Sequence, residues 1–271
     1  MEINFKKILV GFDNSPSAKI AIEKAMDTAA LFDSDVTAVY VTKNSTDPDV
    51  EENRVYINEI AARRNRPIDF IVKSGRAYKE INTLEREIGV DMIVLGTHGK
   101  QGWQPFWIGS NAFRIVSASN CPVITISETT KKHDLQDILL PLADSLETRQ
   151  KVPYACKLAK VFGATVHILK VSKDKDKETQ NRLNVYARQT EKYFDERNVK
   201  WTLHESLGVN VTETCIKYAK EVRAGLILIM TETESSSVFM GSYAQQLVNT
   251  SPVPVMSIHS RDLLVTGAVG Y

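Results

Sequence analysis

Short apolar runs and longer amphipathic stretches alternate along the whole chain. Runs such as Lys7–Phe12 and Met92–Leu95 are nearly continuous in apolar residues, which is typical of strands buried on both faces of a sheet. Between them, stretches such as Ser15–Leu31 place their apolar residues on one helical face. Strands that alternate with helices in this way predict a parallel sheet covered by helices on both faces.

The same succession of elements occurs twice. The segment Gly109–Ile126 aligns without a gap with Gly241–Ile258, and Lys7–Phe12 has its counterpart in Asp137–Leu142. Each of these two strands is followed by a predicted helix, over Ser15–Leu31 in the first half and Ser145–Phe162 in the second. We predict an α/β protein with two tandem open parallel five-stranded sheets flanked by helices, similar to a Rossmann fold. The predicted domains are residues 1–128 and 136–260, joined by a polar linker and followed by a C-terminal tail at residues 261–271.

Glycines follow the fourth predicted strand of the first half at a distinctive spacing. Gly96 and Gly99 come directly after the apolar run, and Gly109 and Ser110 precede a helix-like stretch. Glycines let a backbone approach a ligand closely, and the free N–H groups at a helix start favour an anion. Taken singly these glycines fit ordinary turns, but together they predict phosphate binding and therefore a nucleotide site in the first half.

With this spacing on a repeated α/β unit, the chain resembles the universal stress protein family in its tandem two-domain form. The family signature is Gly-x2-Gly-x9-Gly-Ser/Thr, and the four residues named above fit it with the spacing intact. The resemblance covers nearly the whole chain and implies an adenine nucleotide alpha hydrolase-like fold. It also implies that an intact domain binds one ATP, and the phosphate charge is compatible with an accompanying Mg²⁺.

The resemblance assigns individual positions to the nucleotide. Asp13 stands where family members place an aspartate near adenine and ribose, and Val41 stands where the backbone meets adenine. The implied nucleotide-binding residues are Gly11, Phe12, Asp13, Val41, Gly96, His98, Gly99, Gly109, Ser110 and Asn111. Asp13 also fits a capping role for the helix that follows Pro16. For His98 we favour a backbone or steric role over a catalytic one, and no catalytic residue or metal ligand is assigned.

The second half departs from the nucleotide-binding pattern. Ala143 stands in the place of Asp13, and Met230 and Thr233 replace the two loop glycines, so that only Gly241-Ser242 is kept. A side chain where the backbone must approach phosphate should weaken a site. We therefore predict that the second domain binds nucleotide poorly or not at all.

The composition indicates which kinds of partner and which cellular compartment to expect for this protein. The chain has 271 residues, is 43% hydrophobic and 25% charged, and carries a net charge of +1, which does not favour nucleic-acid binding. No apolar run is long enough for a membrane span. The three cysteines are far apart and odd in number, which is typical of core residues in a reducing compartment. These features predict a cytoplasmic protein without membrane or nucleic-acid partners.

An aromatic segment lies inside the glycine motif, with Trp103, Phe106 and Trp107 close together. One interpretation is that it packs over a sheet edge or the second domain. The other is that it forms a lid or a contact for a partner, because exposed aromatic clusters mark interaction sites.

Three functions fit these observations. The leading hypothesis is a stress-response protein that binds ATP in its first domain and acts as a sensor or interaction module for an unknown protein partner. The second is a nucleotide-independent scaffold, in which the strands Val123–Ile126 and Val255–Ile258 pair two copies as a homodimer or pair the domains within one chain. The third is a slow ATPase or self-phosphorylating enzyme, for which Lys100 and Arg114 are nearby cations but no magnesium carboxylate pair is recognisable.

Overall fold

The computed structural model describes residues 3–42, 46–97, 110–130, 135–231 and 242–259. The chain forms two compact units, with the boundary between them after Thr130. In both units every described strand pairing is parallel. The predicted α/β class with parallel sheets is therefore confirmed.

The first unit alternates strands with helices. Its strands are β1 (Lys7–Gly11), β2 (Asp35–Thr42), β3 (Asp69–Ser74), β4 (Met92–Gly96) and β5 (Val123–Ile126). Its helices are α1 (Pro16–Phe32), α2 (Asp49–Arg64), α3 (Ala77–Ile88) and α4 (Ser110–Ala118). The strand order is β3-β2-β1-β4-β5, so that the first strand of the chain lies in the middle of this sheet.

The helices of the first unit lie on opposite faces of the sheet because parallel strands need right-handed crossovers. The connections that carry α1 and α2 lead from β1 towards β3, whereas α3 and α4 belong to connections that lead in the opposite direction. Glycines at the ends of two strands show the two faces directly. The missing side chain of Gly11 points at Ile81 of α3, and that of Gly96 points at Ser17 of α1.

Helix α1 starts where the sequence predicts. The Ser15 side chain accepts a hydrogen bond from the backbone N–H of Ala18 at 3.3 Å, and Pro16 is the first helical residue. The helix then buries an apolar face that includes Ile22 and Met26 against the sheet. Its start places the turn that follows β1, and Asp13 within it, at the carboxyl edge of the sheet.

The second unit repeats this architecture. Its strands are β6 (Asp137–Leu142), β7 (Thr165–Ser172), β8 (Trp201–Leu207), β9 (Leu226–Thr231) and β10 (Val255–His259). Its helices are α5 (Val152–Phe162), α6 (Lys177–Asp195), α7 (Val211–Glu221) and α8 (Ser242–Thr250). The order within this unit is β10-β9-β6-β7-β8.

Strand register confirms the predicted correspondence of the halves. Ile8 pairs with Met92 in the first unit, and Ile138 pairs with Leu226 in the second. Counting forward from these pairs matches Asp13 with Ala143 and Gly96 with Met230. Gly75 and Gly208, which follow β3 and β8, both adopt a positive φ, of 148° and 70°.

The predicted helix over Ser145–Phe162 is only partly right. Leu146–Lys151 forms a 3-10 helix, and the α-helix begins at Val152. Pro153 explains where α5 begins, because proline has no N–H to donate and is tolerated only in the first turn of an α-helix. The corresponding stretch of the first unit is regular α-helix from Pro16 onward.

The three cysteines are free and buried, as predicted for core residues. Burial raises the pKa of the Cys215 thiol to about 12. Among the described residues, no helix is long and apolar enough to cross a membrane.

Candidate functional site at the carboxyl edge of the first unit

The candidate site lies where β1 and β4 end side by side. Helix α1 follows β1 on one face of the sheet and α4 follows β4 on the other, so these two neighbouring strands are a topological switch point of the sheet, where a crevice is expected at the carboxyl edge. In open α/β sheets such a switch point is where ligands bind. Asp13 follows β1 and Gly96 ends β4, so the structure brings these two predicted residues to the same crevice.

Asp13 acts within its own turn. One carboxylate oxygen accepts a hydrogen bond from the backbone N–H of Ser15 at 3.1 Å. The capping interpretation of Asp13 therefore has a structural basis, since this contact helps to fix the approach to α1. The side chain is only partly buried and lies at the crevice, so the same carboxylate is also placed to meet a ligand.

Gly96 is required by the packing of the strand against a helix. A Cβ atom at this position would lie 2.8 Å from the backbone N of Ala18 and 2.9 Å from the backbone C of Ser17. Its φ is not in the left-handed region, so the need for glycine here comes from close approach to α1. In the second unit the counterpart Met230 is buried, and β9 contacts the 3-10 helix instead of a regular helix start.

Replacing Gly96 with alanine is expected to destabilise the protein by about 1–3 kcal/mol, because the new methyl group meets backbone atoms that cannot rotate away. Gly11→Ala is the matched control. Its Cβ would meet the end of the Leu95 side chain at 2.7 Å, which can move, so a loss of about 1 kcal/mol or less is expected. Urea unfolding of the two variants measures the difference, and equal stability would contradict this account of Gly96.

Phe12 is a core residue. Its ring stacks on Tyr56 of α2, with centroids 5.5 Å apart, and its side chain is buried. The ammonium of Lys19 lies 4.8 Å from the centre of the Tyr56 ring, which joins α1 to α2. The backbone N–H of Phe12 donates to the carbonyl of Val39 at 2.9 Å, so β1 and β2 stay paired up to the turn. Any contact of Phe12 with a ligand would therefore come from its backbone.

A carboxylate ties the end of β2 to the start of α2. The hydroxyl groups of Tyr40 and Thr42 both donate to one oxygen of Asp47 at 2.7 Å, and the other oxygen accepts from the backbone N–H of Asp49 at 3.0 Å. Val41 lies between these two hydroxyl residues on β2 and is partly exposed. This bridge therefore holds the backbone around Val41 in place.

Several negative charges surround Tyr40. Burial and the carboxylates of Asp47, Asp49 and Asp13 raise the pKa of the Tyr40 phenol well above its ordinary value. The phenol therefore stays a neutral hydrogen-bond donor at physiological pH. This end of the crevice is acidic, which suits neutral polar groups of a ligand better than phosphate.

Two amide side chains near this end, one partly exposed and one buried, have buried atoms without a hydrogen-bond partner. Asn14 has a left-handed backbone with φ of 60°, and its amide nitrogen donates to Glu52 of α2. Its amide oxygen is buried and has no partner in the described structure. Asn53 is 0% exposed, and neither its amide nitrogen nor its oxygen has a partner there. An unpaired buried polar group costs about 1–3 kcal/mol, so these amides need an explanation.

Sequence reasoning missed Asn53, although a signal was available. Its side chain shares the sheet-facing side of α2 with Ile57 and Ile60, at the spacing i, i+4 and i+7. A lone polar residue on an otherwise apolar helix face marks either a buried hydrogen bond or a ligand contact.

The same place in the second unit is closed by internal partners. Arg182 donates two hydrogen bonds to Asp144, at 2.7 Å and 2.6 Å, which lowers the pKa of the Asp144 carboxyl. The counterpart of Asn53 is Leu183, which is fully buried. The Thr148 hydroxyl accepts hydrogen bonds from the backbone N–H of Ala143 and from the buried ammonium of Lys151.

Part of the predicted site lies outside the described residues. This applies to His98, Gly99 and Gly109, and to the aromatic segment around Trp103 and Trp107. Ser110 is the first residue of α4, and Asn111 is exposed in its first turn. Within the described ranges, no cluster of His, Cys, Asp and Glu side chains could hold a metal ion.

The strand order and the helices on both faces define a protein of two doubly wound α/β units. The family model for the universal stress protein family matches residues 4–127 and again residues 135–259. The chain therefore belongs to the universal stress protein family and carries two copies of its domain. The predicted family and its tandem form are confirmed.

The chain is similar to individual universal stress proteins. Universal stress protein A homolog 2 of Coxiella burnetii is 29% identical over an alignment of 140 residues that covers 45% of this chain and 95% of that protein. A solved universal stress protein of Archaeoglobus fulgidus matches with a TM-score of 0.75 and 17% identity, over 95% of this chain and 99% of that one. Another solved structure, of a universal stress protein in complex with cAMP, has a TM-score of 0.38 and 19% identity over 44% of this chain and 94% of that one.

Proposed function

We propose that this protein binds one ATP at the carboxyl edge of its first domain, residues 1–128, and acts as a stress-response sensor or interaction module in the cytoplasm. The observation that carries the proposal is the difference between the two units at the same edge. The first has a crevice with a partly exposed carboxylate and unpaired amides, while the second fills that place with Ala143, Leu183 and the pair of Asp144 with Arg182.

In this proposal the residues divide into two groups along the crevice. Asp13 and the backbone of Val41 hold the adenosine end, where the surrounding charge is negative. The start of α4 at Ser110, with Asn111 next to it, holds the phosphates through free backbone N–H groups. His98, Gly99 and Gly109 complete the phosphate end by the family pattern, and Mg²⁺ would offset phosphate charge that the described residues leave unpaired.

Nucleotide binding changes the protein's behaviour only if two states differ in affinity for it. The residues of the turn after β1 and of the start of α2 meet at the adenosine end, through Asn14 and Glu52. A ligand held there would favour the state in which this contact is made. A protein partner that distinguishes the two states would then respond to ATP, and the second domain, residues 136–260, serves architecture or partner binding.

The first test counts the nucleotides that the purified protein carries. The protein is denatured, and the released small molecules are quantified by chromatography and mass spectrometry, with calorimetric titration of ATP into the stripped chain. About one adenine nucleotide per chain is expected, since the described residues of the second unit fill the corresponding place with Leu183 and with the pair of Asp144 and Arg182. Two per chain would contradict a closed second edge, and none, with no heat on adding ATP, would favour the nucleotide-independent scaffold.

A further inference from the structure

The unpaired amide of Asn53 has a defined place relative to the crevice. Its neighbour Glu52 accepts the hydrogen bond from Asn14, which directly follows Asp13 in the turn. Tyr56, three residues after Asn53 on α2, stacks on Phe12, which directly precedes Asp13. Asn53 therefore lies on the stretch of α2 that packs against the turn holding Asp13, one helical turn inside the helix start.

The second unit shows that this position does not need an amide for folding. Leu183 occupies it there and is fully buried, with a side chain that has the same branching and the same number of heavy atoms as asparagine. The guanidinium of Arg149 lies 5.0 Å from the centre of the Tyr186 ring, as the ammonium of Lys19 lies over the ring of Tyr56. In both units a cation therefore packs on the tyrosine of the second helix. What differs is the polarity of the buried position, and the amide occurs in the unit whose edge is open.

The chemistry around Asn53 suits a neutral ligand group with both a donor and an acceptor. A carboxamide offers one oxygen acceptor and two N–H donors, and pairs in this way with the N6 and N7 edge of adenine. The carboxylates of Asp13, Asp47 and Asp49 act on Tyr40 of the neighbouring strand β2 and disfavour an anion at this end of the crevice. Asn14, whose amide nitrogen donates to Glu52 next to Asn53, adds a buried oxygen as a further acceptor.

We propose that Asn53 is a specificity-determining residue that reads the nucleoside end of the bound nucleotide, with the oxygen of Asn14 as a second contact. The inference rests on the proposed nucleotide site in the first domain. It explains why the first unit keeps unpaired amides at a place where the second keeps a leucine. A site built to hydrogen-bond a ligand group discriminates strongly against ligands that lack the group.

The test compares Asn53→Leu with the matched variant Leu183→Asn in the full chain. Calorimetry measures the affinity for ATP and for inorganic tripolyphosphate, and thermal unfolding without nucleotide measures stability. Asn53→Leu is expected to weaken ATP binding by about 10- to 100-fold, to leave tripolyphosphate binding unchanged, and to raise the melting temperature by about 2–4 °C. Leu183→Asn should lower the melting temperature and leave ATP affinity unchanged.

The outcomes separate this inference from the site on which it rests. Unchanged ATP affinity in Asn53→Leu overturns it and leaves the amide as a buried structural group, while the proposed site stands. An equal loss for ATP and tripolyphosphate overturns the assignment to the nucleoside end. If the unmodified protein binds no ATP, both proposals are wrong. Should Asn53→Leu not fold, Asn53→Ser gives the same comparison, because it removes the carboxamide without adding volume.

Discussion

Asp13→Ala is expected to lower the affinity for ATP by about 10- to 100-fold, as large an effect on binding as we expect from any one substitution. A hydrogen bond from a ligand to a charged group contributes about 1.5–3 kcal/mol, and alanine removes it. Asp13 is placed for this contact by the turn that it helps to form with Ser15. Calorimetric titration of ATP into the stripped variant measures the change.

Two controls keep this result interpretable. Asp13→Asn retains an oxygen for the N–H of Ser15 but removes the charge, so it separates loss of the turn from loss of the ligand contact. Asp144→Ala, at the corresponding edge of the second unit, should leave ATP affinity unchanged, because that carboxylate is occupied by Arg182. An equal loss of affinity in Asp144→Ala would contradict a single site in the first domain.

Glu85→Ala is expected to destabilise the protein by about 3–5 kcal/mol, the largest effect on stability among the substitutions considered. Glu85 is buried in α3, and one oxygen accepts hydrogen bonds from the backbone N–H groups of Asn120 and Cys121 and from the Ser119 hydroxyl, at 2.6–3.0 Å. Alanine removes this shared acceptor, so that the N–H of Asn120 loses its partner and the N–H of Cys121 keeps only a longer contact with the Ser119 hydroxyl, at 3.4 Å. Each buried polar group left without a partner costs about 1–3 kcal/mol, and the loss of the buried side chain adds to this. Denaturant unfolding gives the change.

Comparing the stability of further variants on α3 tests whether the buried hydrogen bonds of Glu85 cause the expected loss of stability. Glu85→Gln keeps an acceptor oxygen and should lose clearly less than Glu85→Ala. Glu87→Ala removes only an exposed ion pair with Lys73, and such a pair contributes about 0–1 kcal/mol. If Glu87→Ala were as damaging as Glu85→Ala, the buried hydrogen bonds would not be the cause.

The repeat and the strand succession could be predicted because they depend on apolar spacing, which is local. The correspondence of Asp13 with Ala143 and of Gly96 with Met230 follows from the same spacing, and strand register confirms it. The start of α1 was also predictable, since Ser15 and Pro16 act on their own turn. These features need no knowledge of what packs against them.

The features that sequence reasoning missed depend on contacts between distant segments. Gly96 was interpreted as a phosphate-loop glycine, whereas its packing against α1 appears only once β4 and α1 are brought together. The partners of Glu85 lie at the end of α4, far along the chain. The 3-10 segment before Val152 is different, because Pro153 was visible in the sequence and its effect on the helix start was overlooked.

The central position of β1 has a consequence for how the protein is made on the ribosome. β1 is synthesised before both of the strands that flank it in the sheet, β2 and β4, and β4 ends only at Gly96. The backbone groups of β1 that pair with β4 therefore stay unpaired until most of the first unit has been translated. The nascent chain is thus open to chaperones, or to aggregation, for as long as elongation from β2 to β4 takes.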